Sequence, residues 1–262
     1  DILVRGNTSS NPSTSSARAV FVSGSTLKTN GTGEVQIFGD ASASLGQNPW
    51  GIQFSGAIET QNGNVLVDGI SNSNSTRGNA RGVVLSGYDI STTSGDVIIR
   101  DRSQGSNVIY SGAYINAGSG SQIRVAQTKS ISIFADEVVF DGGSTGFSWF
   151  KAGDVSINPY TGTSFTAPLT LQKVKTDTSQ SFVVGDQNGS LNTANVTLAA
   201  SNPINVNGPI KFVGGDITLN SAVTSVSDRL TLIGTGNVTS GSGGYVVADD
   251  LLLLGGNVTL NN

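Results

Sequence analysis

The sequence predicts an all-β solenoid, a chain that coils into stacked rungs, with one excursion from the wall. Three observations support this prediction. Val, Ile and Thr are common, which favours strands. Glycine is abundant, with 35 residues against six prolines, which suits many sharp corners. A pattern of short apolar strands also recurs about every 31 residues, as in repeat proteins whose units pack only on their neighbours.

The 31-residue pattern occupies residues 1–140 and is aligned on Ser-Gly pairs. An apolar strand precedes each pair, a second strand follows it, and a glycine corner leads to a third strand such as "EVQIF" or "NVLVD". The pairs are Ser23-Gly24, Ser55-Gly56, Ser86-Gly87 and Ser111-Gly112, and the corners are Gly33, Gly63, Gly95 and Gly120. We expect positive φ at these corners, because a sharp bend often requires it.

Side chains alternate in and out along a strand, so the pattern predicts which residues stack inside the solenoid. The inward set is Val35, Ile37, Val65, Val67, Val97 and Ile99. Two charged pairs should also lie on neighbouring rungs, about 4.8 Å apart: Lys28 with Glu59, and Asp68 with Arg100. As exposed pairs, they should specify register more than stability.

Residues 183–262 keep the strand pattern with a shorter period. The string "GGDITLN" at 214–220 returns as "GGNVTLN" at 255–261, with two strand-rich segments between them. This spacing predicts rungs of about 20 residues. The chain starts and stops within the pattern, so we expect it to be a piece of something longer.

Residues 141–182 interrupt the repeat and predict an excursion or hairpin that leaves the wall. The stretch contains two prolines, which are disfavoured inside central strands, and six aromatic residues. Four of the aromatics, Trp149, Phe150, Tyr160 and Phe165, are candidate binding residues that could form a platform for sugar rings or a partner. In the alternative interpretation, the aromatics pack into the seam between the two periods.

Composition excludes several chemistries and predicts a protein that is not an enzyme and needs no cofactor or metal. The chain has no Cys and no His, so disulfides, thiolate sites and histidine-based triads are ruled out. The acidic dipeptides Asp136-Glu137 and Asp249-Asp250 place their carboxylates on opposite strand faces, which does not suit paired catalysis. A net charge of −4 argues against nucleic acid, and no apolar run approaches the roughly 20 residues of a membrane span.

One modification site is a candidate. Among several N-x-[ST] sequons, Asn74 lies in the polar return segment 69–80, where a glycan would have most room.

Two stretches carry a family resemblance: "SISIFADEVVFDGG" at 130–143 and "DRLTLIGTGNVTSGSGGYVVADDLLLLGGNVTL" at 228–260. They resemble filamentous-haemagglutinin-type adhesins, large bacterial exoproteins secreted by the two-partner route. The resemblance implies a right-handed parallel β-helix shaft, secretion through an outer-membrane partner to the Gram-negative cell surface, and attachment to host-cell or matrix glycans or proteins. The string "NPWGI" at 48–52 is similar to a motif of that family's secretion domain, but its position at a rung junction assigns no secretion role.

We therefore expect a structural shaft or binding segment of a surface adhesin that mediates cell attachment or aggregation in a biofilm. Two alternatives stay open. The chain could be a carbohydrate-binding or carbohydrate-cleaving β-helix with 141–182 at its groove. It could also be a self-assembling extracellular filament subunit whose ends stack on neighbouring copies.

Overall fold

The structure is a computed structural model that describes residues 1–8, 17–44, 48–71, 79–103, 110–117, 121–142, 146–176, 180–187, 189–200, 202–226 and 228–260. Within these ranges every regular element is a β-strand. In chain order they are β1 (Ile2–Asn7), β2 (Arg18–Lys28), β3 (Val35–Ala41), β4 (Trp50–Thr60), β5 (Val65–Ser71), β6 (Asn79–Ser86), β7 (Asp89–Thr92), β8 (Val97–Asp101), β9 (Tyr110–Ser111), β10 (Ala113–Ala117), β11 (Gln122–Arg124), β12 (Ser130–Phe134), β13 (Val138–Gly142), β14 (Ser148–Lys151), β15 (Asp154–Asn158), β16 (Leu169–Leu171), β17 (Val174–Lys175), β18 (Ser181–Val184), β19 (Asp186–Gln187), β20 (Ser190–Leu191), β21 (Val196–Leu198), β22 (Ile204–Val206), β23 (Ile210–Gly214), β24 (Ile217–Leu219), β25 (Val223–Ser225), β26 (Arg229–Gly234), β27 (Val238–Ser240), β28 (Val246–Val247), β29 (Asp250–Leu254) and β30 (Val258–Thr259).

Ten strands form one continuous parallel sheet, which we call the first wall. Its order is β1-β3-β5-β8-β12-β15-β18-β23-β26-β29, so each strand pairs with the strand of the next turn of the chain. Register partners are 30 to 34 residues apart from β1 to β12, 24 to 28 from β12 to β23, and 20 or 21 from there on. At about 4.8 Å per step, the wall is roughly 43 Å long.

Two further walls arise from a sheet that divides at β4. The first part of β4 pairs with β6 and the second part pairs with β7. From β6, the second wall runs through β10 and β13, and the sheet β16-β21-β24-β27-β30 follows it. From β7, the third wall runs through β11, β14 and β17, and the sheet β22-β25-β28 follows it. Each turn of the chain therefore visits three walls around one apolar core.

The inward stack has the predicted register. Val35 pairs with Val65 and Val65 with Val97, and all three are fully buried. The column Ile37, Val67 and Ile99 is equally in register and equally buried. The prediction of consecutive layers sharing one interior is confirmed for these six residues, because alternate residues of each strand face inward.

Glycine at the corners before the first wall has a different cause from the one predicted. Positive φ occurs at Gly24, Gly87 and Gly112 of the Ser-Gly pairs, but not at Gly33, Gly63 or Gly95. Gly63 instead sits so close to the neighbouring turn that a Cβ atom would lie 1.9 Å from the carbonyl oxygen of Gly33. The expectation of positive φ at these three corners is wrong. Only glycine lets the layers approach this closely. Gly120 lies outside the described residues.

The charged pairs follow the predicted register, with one change of partner. Nζ of Lys28 lies 2.7 Å from Oε2 of Glu59, which confirms that pair. Asp68 faces Arg100 in the register, but its Oδ1 is 2.7 Å from Nε of Arg102 instead. The backbone N–H of Arg102 donates to the Gly69 carbonyl, and this bond brings the Arg102 side chain beside Asp68.

The short rungs of the C-terminal part are confirmed and carry a polar side-chain ladder. Ile217 pairs with Val238 and Val238 with Val258, steps of 21 and 20 residues. Just before these strands, Oδ1 of Asn195 accepts a hydrogen bond from the Asp216 N–H at 2.8 Å. Oδ1 of Asp216 accepts one in turn from the Asn237 N–H at 2.8 Å. Each side chain in the ladder thus caps the backbone of the next turn.

The predicted excursion over 141–182 is wrong for residues 148–158. Strand β14 pairs with β11 in the third wall, and β15 pairs with β12 in the first wall. The buried positions Ser148 and Phe150 alternate with the half-exposed Trp149 and Lys151, which is the period of a wall strand. The described pair that does break the parallel pattern is the antiparallel hairpin β19–β20.

Candidate functional site

The connection 159–168, between β15 and β16, is irregular but firmly attached to the layers beside it. Oδ1 of Asp136 accepts hydrogen bonds at 2.8 Å from the N–H groups of Tyr160 and Thr161. The Asp136 carbonyl also accepts one from the Thr166 N–H at 2.7 Å. Asp136 therefore orders the connection from the preceding turn.

Asn192 holds the same connection from the following turn. Its Oδ1 accepts from Ser164 Oγ at 2.9 Å and from the Phe165 N–H at 3.1 Å, while its Nδ2 donates to the Val213 carbonyl at 2.9 Å. The Phe165 side chain is only 4% exposed. The connection therefore folds inward to fill the core.

Two of the four candidate binding residues lie in the core. Phe150 is fully buried, and its ring meets that of Phe140 edge to face, with centroids 6.2 Å apart. Phe165 is buried as described above. Neither ring offers a surface to a ligand, so the packing interpretation applies to both. Phe182, another aromatic of this stretch, is also fully buried and packs against Phe212.

The other two candidates, Trp149 and Tyr160, are half-exposed but do not lie together. Trp149 is on β14 in the third wall, whereas Tyr160 is in the connection that leads from the first wall towards the second. The structure therefore does not assemble the predicted four-residue platform. It leaves Trp149 as the candidate with a distinct surface around it.

Trp149 belongs to a cluster that we call the lysine-aromatic patch: Phe147, Trp149, Lys151, Lys173 and Lys175. Nζ of Lys151 is 5.2 Å and Nζ of Lys175 is 4.8 Å from the Trp149 ring centroid. Nζ of Lys175 is also 4.6 Å and Nζ of Lys173 is 5.2 Å from the Phe147 centroid. All five side chains are half-buried. Both rings therefore have two ammonium groups at cation–π distance.

Strand register explains why these residues meet. Trp149 and Lys151 share the outward face of β14, and Trp149 pairs with Lys175 of β17 in the next layer. Lys173 has φ of 57° and is the one non-glycine with positive φ among the described residues. Its carbonyl accepts a hydrogen bond from the Ser148 N–H at 2.7 Å, which ties this unusual backbone to β14.

The patch has an excess of positive charge. Within the described ranges, no ion pair involves Lys151, Lys173 or Lys175. At its border, Arg124 is the register neighbour of Lys151 and lies 3.3 Å from Asp89. Sequence reasoning singled out Trp149 but missed the lysines, because only the pairing of β14 with β17 brings Lys175 beside that ring.

Several carboxylates that were considered for catalysis carry structural hydrogen bonds. Asp96 Oδ1 accepts from the Ser130 N–H at 2.8 Å, and Asp136 holds the connection 159–168. Asp68 pairs with Arg102, and Asp250 pairs with Arg229. In the described residues, no group of three carboxylates is placed to hold a metal ion.

A buried charged corner, which sequence reasoning also missed, joins the second wall to the first. Oδ2 of Asp101 accepts from the Val83 N–H at 2.6 Å, and its Oδ1 accepts from the Ser103 N–H at 2.8 Å. Burial raises the pKa of Asp101 to about 6, although these hydrogen bonds act in the opposite direction. Nearby, the Arg81 guanidinium lies 3.9 Å from the Tyr114 ring centroid, and burial lowers its pKa.

Comparison with known proteins returned no match to a family model, to a curated protein or to a solved structure. The candidate site is therefore defined by its own geometry. The described part of the chain contains no helix that could serve as a membrane span. The candidate glycosylation residue, Asn74, lies outside the described residues.

Proposed function

We propose that this chain is a structural shaft segment of a large bacterial surface or extracellular adhesin, folded as a right-handed parallel β-helix. The observation that carries the proposal is the first wall, in which ten parallel strands each pair with the strand of the next turn. Such a stack grows in one direction and keeps its cross-section similar from layer to layer. Those are the properties required of a spacer.

The mechanism of the shaft is mechanical. Each turn contributes backbone hydrogen bonds to its two neighbours and one layer of buried Val, Ile or Leu to the common core. Side-chain ladders such as Asn195–Asp216–Asn237 fix the register of successive turns. The shaft thereby holds whatever it carries at a defined distance from the cell, and so serves attachment or aggregation.

The proposed route to the surface is two-partner secretion through an outer-membrane protein. Two features support it: the resemblance of 130–143 and 228–260 to filamentous-haemagglutinin-type adhesins, and a topology in which each turn packs mainly on its neighbours. A chain that emerges gradually can then fold turn by turn, because each new turn needs only the preceding one as a template.

We propose a non-enzymatic role because the acids have structural partners. Asp68 and Asp250 are in ion pairs, and Asp96 and Asp136 cap backbone N–H groups. A hydrolase needs two carboxylates that converge on one bond, and partners of this kind would have to be released first.

The filament alternative is less well supported by the shapes of the two end layers. Strand β2 in the first layer has 11 residues, whereas β28 and β30 in the last layer have two each. If a second copy stacked head to tail on the first, most of β2 would lack a partner strand.

The shaft proposal is tested by lengthening the chain. Duplicating residues 35–96, which span two layers, should give a folded, β-rich protein about 10 Å longer by small-angle X-ray scattering. A scrambled insert of the same composition is the control. A duplicated chain that unfolds or becomes globular would contradict the proposal. Release of reducing sugar from polysaccharides by the native chain would contradict the non-enzymatic role.

A further inference from the structure

We propose that the lysine-aromatic patch of the third wall binds an anionic polysaccharide whose charge is carried by carboxylate or sulfate groups. This inference goes beyond the shaft function and does not depend on it.

The first argument is the crowding of like charges. Lys151 and Lys175 both contact the Trp149 ring, so their ammonium groups lie within about 10 Å of each other, close to the screening length of about 8 Å at physiological salt. Lys173 joins them through Phe147. The cation–π contacts offset part of this repulsion, and an anion bound between the lysines would offset the rest.

The second argument is that the patch is held in place. Trp149 and Lys151 stand on a wall strand over the buried Phe150, and Lys175 is fixed by its pairing with Trp149. Lys173 has a backbone conformation that costs a non-glycine residue about 1–2 kcal/mol. Both neighbouring bonds, from Ser148 to the Lys173 carbonyl and from Val174 to Asn202, hold that conformation. The lysines are therefore partly ordered before any ligand arrives.

The third argument concerns the class of ligand. A neutral sugar would use the aromatic rings but gain little from three lysines. Double-stranded DNA carries about one charge per 1.7 Å and would also meet the rest of an acidic chain, with 18 Asp and Glu against 14 Lys and Arg. A polysaccharide combines sparser charges with apolar C–H faces, and so fits lysines that flank a tryptophan and a phenylalanine.

The test compares binding of the whole chain to four probes by isothermal titration calorimetry: polygalacturonate, dextran sulfate, neutral dextran and a single-stranded DNA oligonucleotide. We expect binding to at least one of the acidic polysaccharides, none to dextran, and weaker binding to DNA. Lys151→Gln/Lys175→Gln should weaken polysaccharide binding by about tenfold or more, since each charge-assisted contact contributes on the order of 1.5–3 kcal/mol.

The matched control is Lys28→Gln/Lys211→Gln, which changes the net charge equally and removes lysines that are already in ion pairs. It should bind as the native chain does. The variant Lys151→Arg/Lys175→Arg should retain binding, and circular dichroism should show all variants folded.

Four results would overturn the proposal: no binding to either acidic polysaccharide, equal binding to dextran, tighter binding to DNA, or equal loss in the control variant. None of them bears on the shaft, whose test is the length of the duplicated chain.

Discussion

Lys28 and Glu59 are 31 positions apart in the sequence, yet their charged groups are 2.7 Å apart on the neighbouring strands β2 and β4. The separation in sequence is one turn of the chain, so the contact reports the register between two layers. Both side chains are exposed, at 61% and 45%. In such surroundings an ion pair contributes more to alignment than to stability.

Reversing one charge of this pair should have a small and salt-dependent effect. We expect Lys28→Glu to lower the free energy of unfolding by less than about 1 kcal/mol in urea titrations at low salt, with a smaller loss in 1 M NaCl. The swapped variant Lys28→Glu/Glu59→Lys should recover most of the loss. A swapped variant as unstable as the single one would contradict the register.

Adding one methyl group at a corner glycine should be costly where layers touch. Gly63→Ala places a Cβ atom 1.9 Å from a backbone oxygen of the neighbouring turn, so we expect a loss of about 1–3 kcal/mol or more. The matched control is Gly162→Ala, whose Cβ meets nothing closer than 3.9 Å and which should stay within about 1 kcal/mol of the native chain. Chemical denaturation of both variants decides the point.

Removing a rung of the side-chain ladder should destabilise the C-terminal layers. Asp216→Ala leaves the Asn237 N–H without its acceptor, and we expect a loss of about 1–2 kcal/mol in thermal or urea unfolding. Asp216→Asn keeps an acceptor oxygen in the same place and should recover most of that stability. Equal losses in both variants would mean that charge, not the hydrogen bond, is what matters.

Stability should fall as pH rises through the titration of Asp101. Its pKa is raised from 3.8 to about 6 in the folded chain, so the folded state binds the proton more tightly than the unfolded state does. The resulting stabilisation is complete below about pH 4 and is lost by about pH 6–7, with a total of up to about 3 kcal/mol. Urea titrations from pH 4 to 7.5 measure it. Asp101→Asn should remove this part of the pH dependence, and a native chain with the same profile as the variant would contradict the assignment.

Phe150 and Trp149 are adjacent in sequence but should respond differently to truncation. Phe150→Ala empties a fully buried site and should cost about 3–5 kcal/mol. Trp149→Ala removes a half-exposed ring and should leave a folded chain with a much smaller loss. Comparable losses would place Trp149 in the core and remove the surface on which the patch is built.

Much of the stacking was predictable from sequence because it depends on two periods only. Alternation along a strand identified Val35 and Ile37 as inward residues, and the repeat of about 31 residues identified Val65 and Val67 as their neighbours. The 20-residue rungs were predictable in the same way from the repeated "GGDITLN" string. Both signals are local and survive without knowledge of the whole fold.

The remainder depended on contacts that no short period encodes. The aromatic-rich stretch around Trp149 suggested a departure from the wall, whereas alternation of Ser148 and Phe150 with their neighbours kept it within the wall. The hairpin β19–β20 escaped notice although Asn188-Gly189 is a favoured hairpin dipeptide. The patch itself required Lys175 to be placed beside Trp149, which only strand pairing could do.

The decreasing residue count per turn along the first wall bears on how the molecule responds to tension. A pull along the long axis acts in the direction of the interstrand hydrogen bonds, so turns detach successively and do not slide past one another. A turn of 20 or 21 residues releases about 70 Å of contour, whereas one of 30 to 34 releases about 100–120 Å. The narrow turns also bury the fewest side chains, so they yield first, and extension of that segment shields the wider turns from the load.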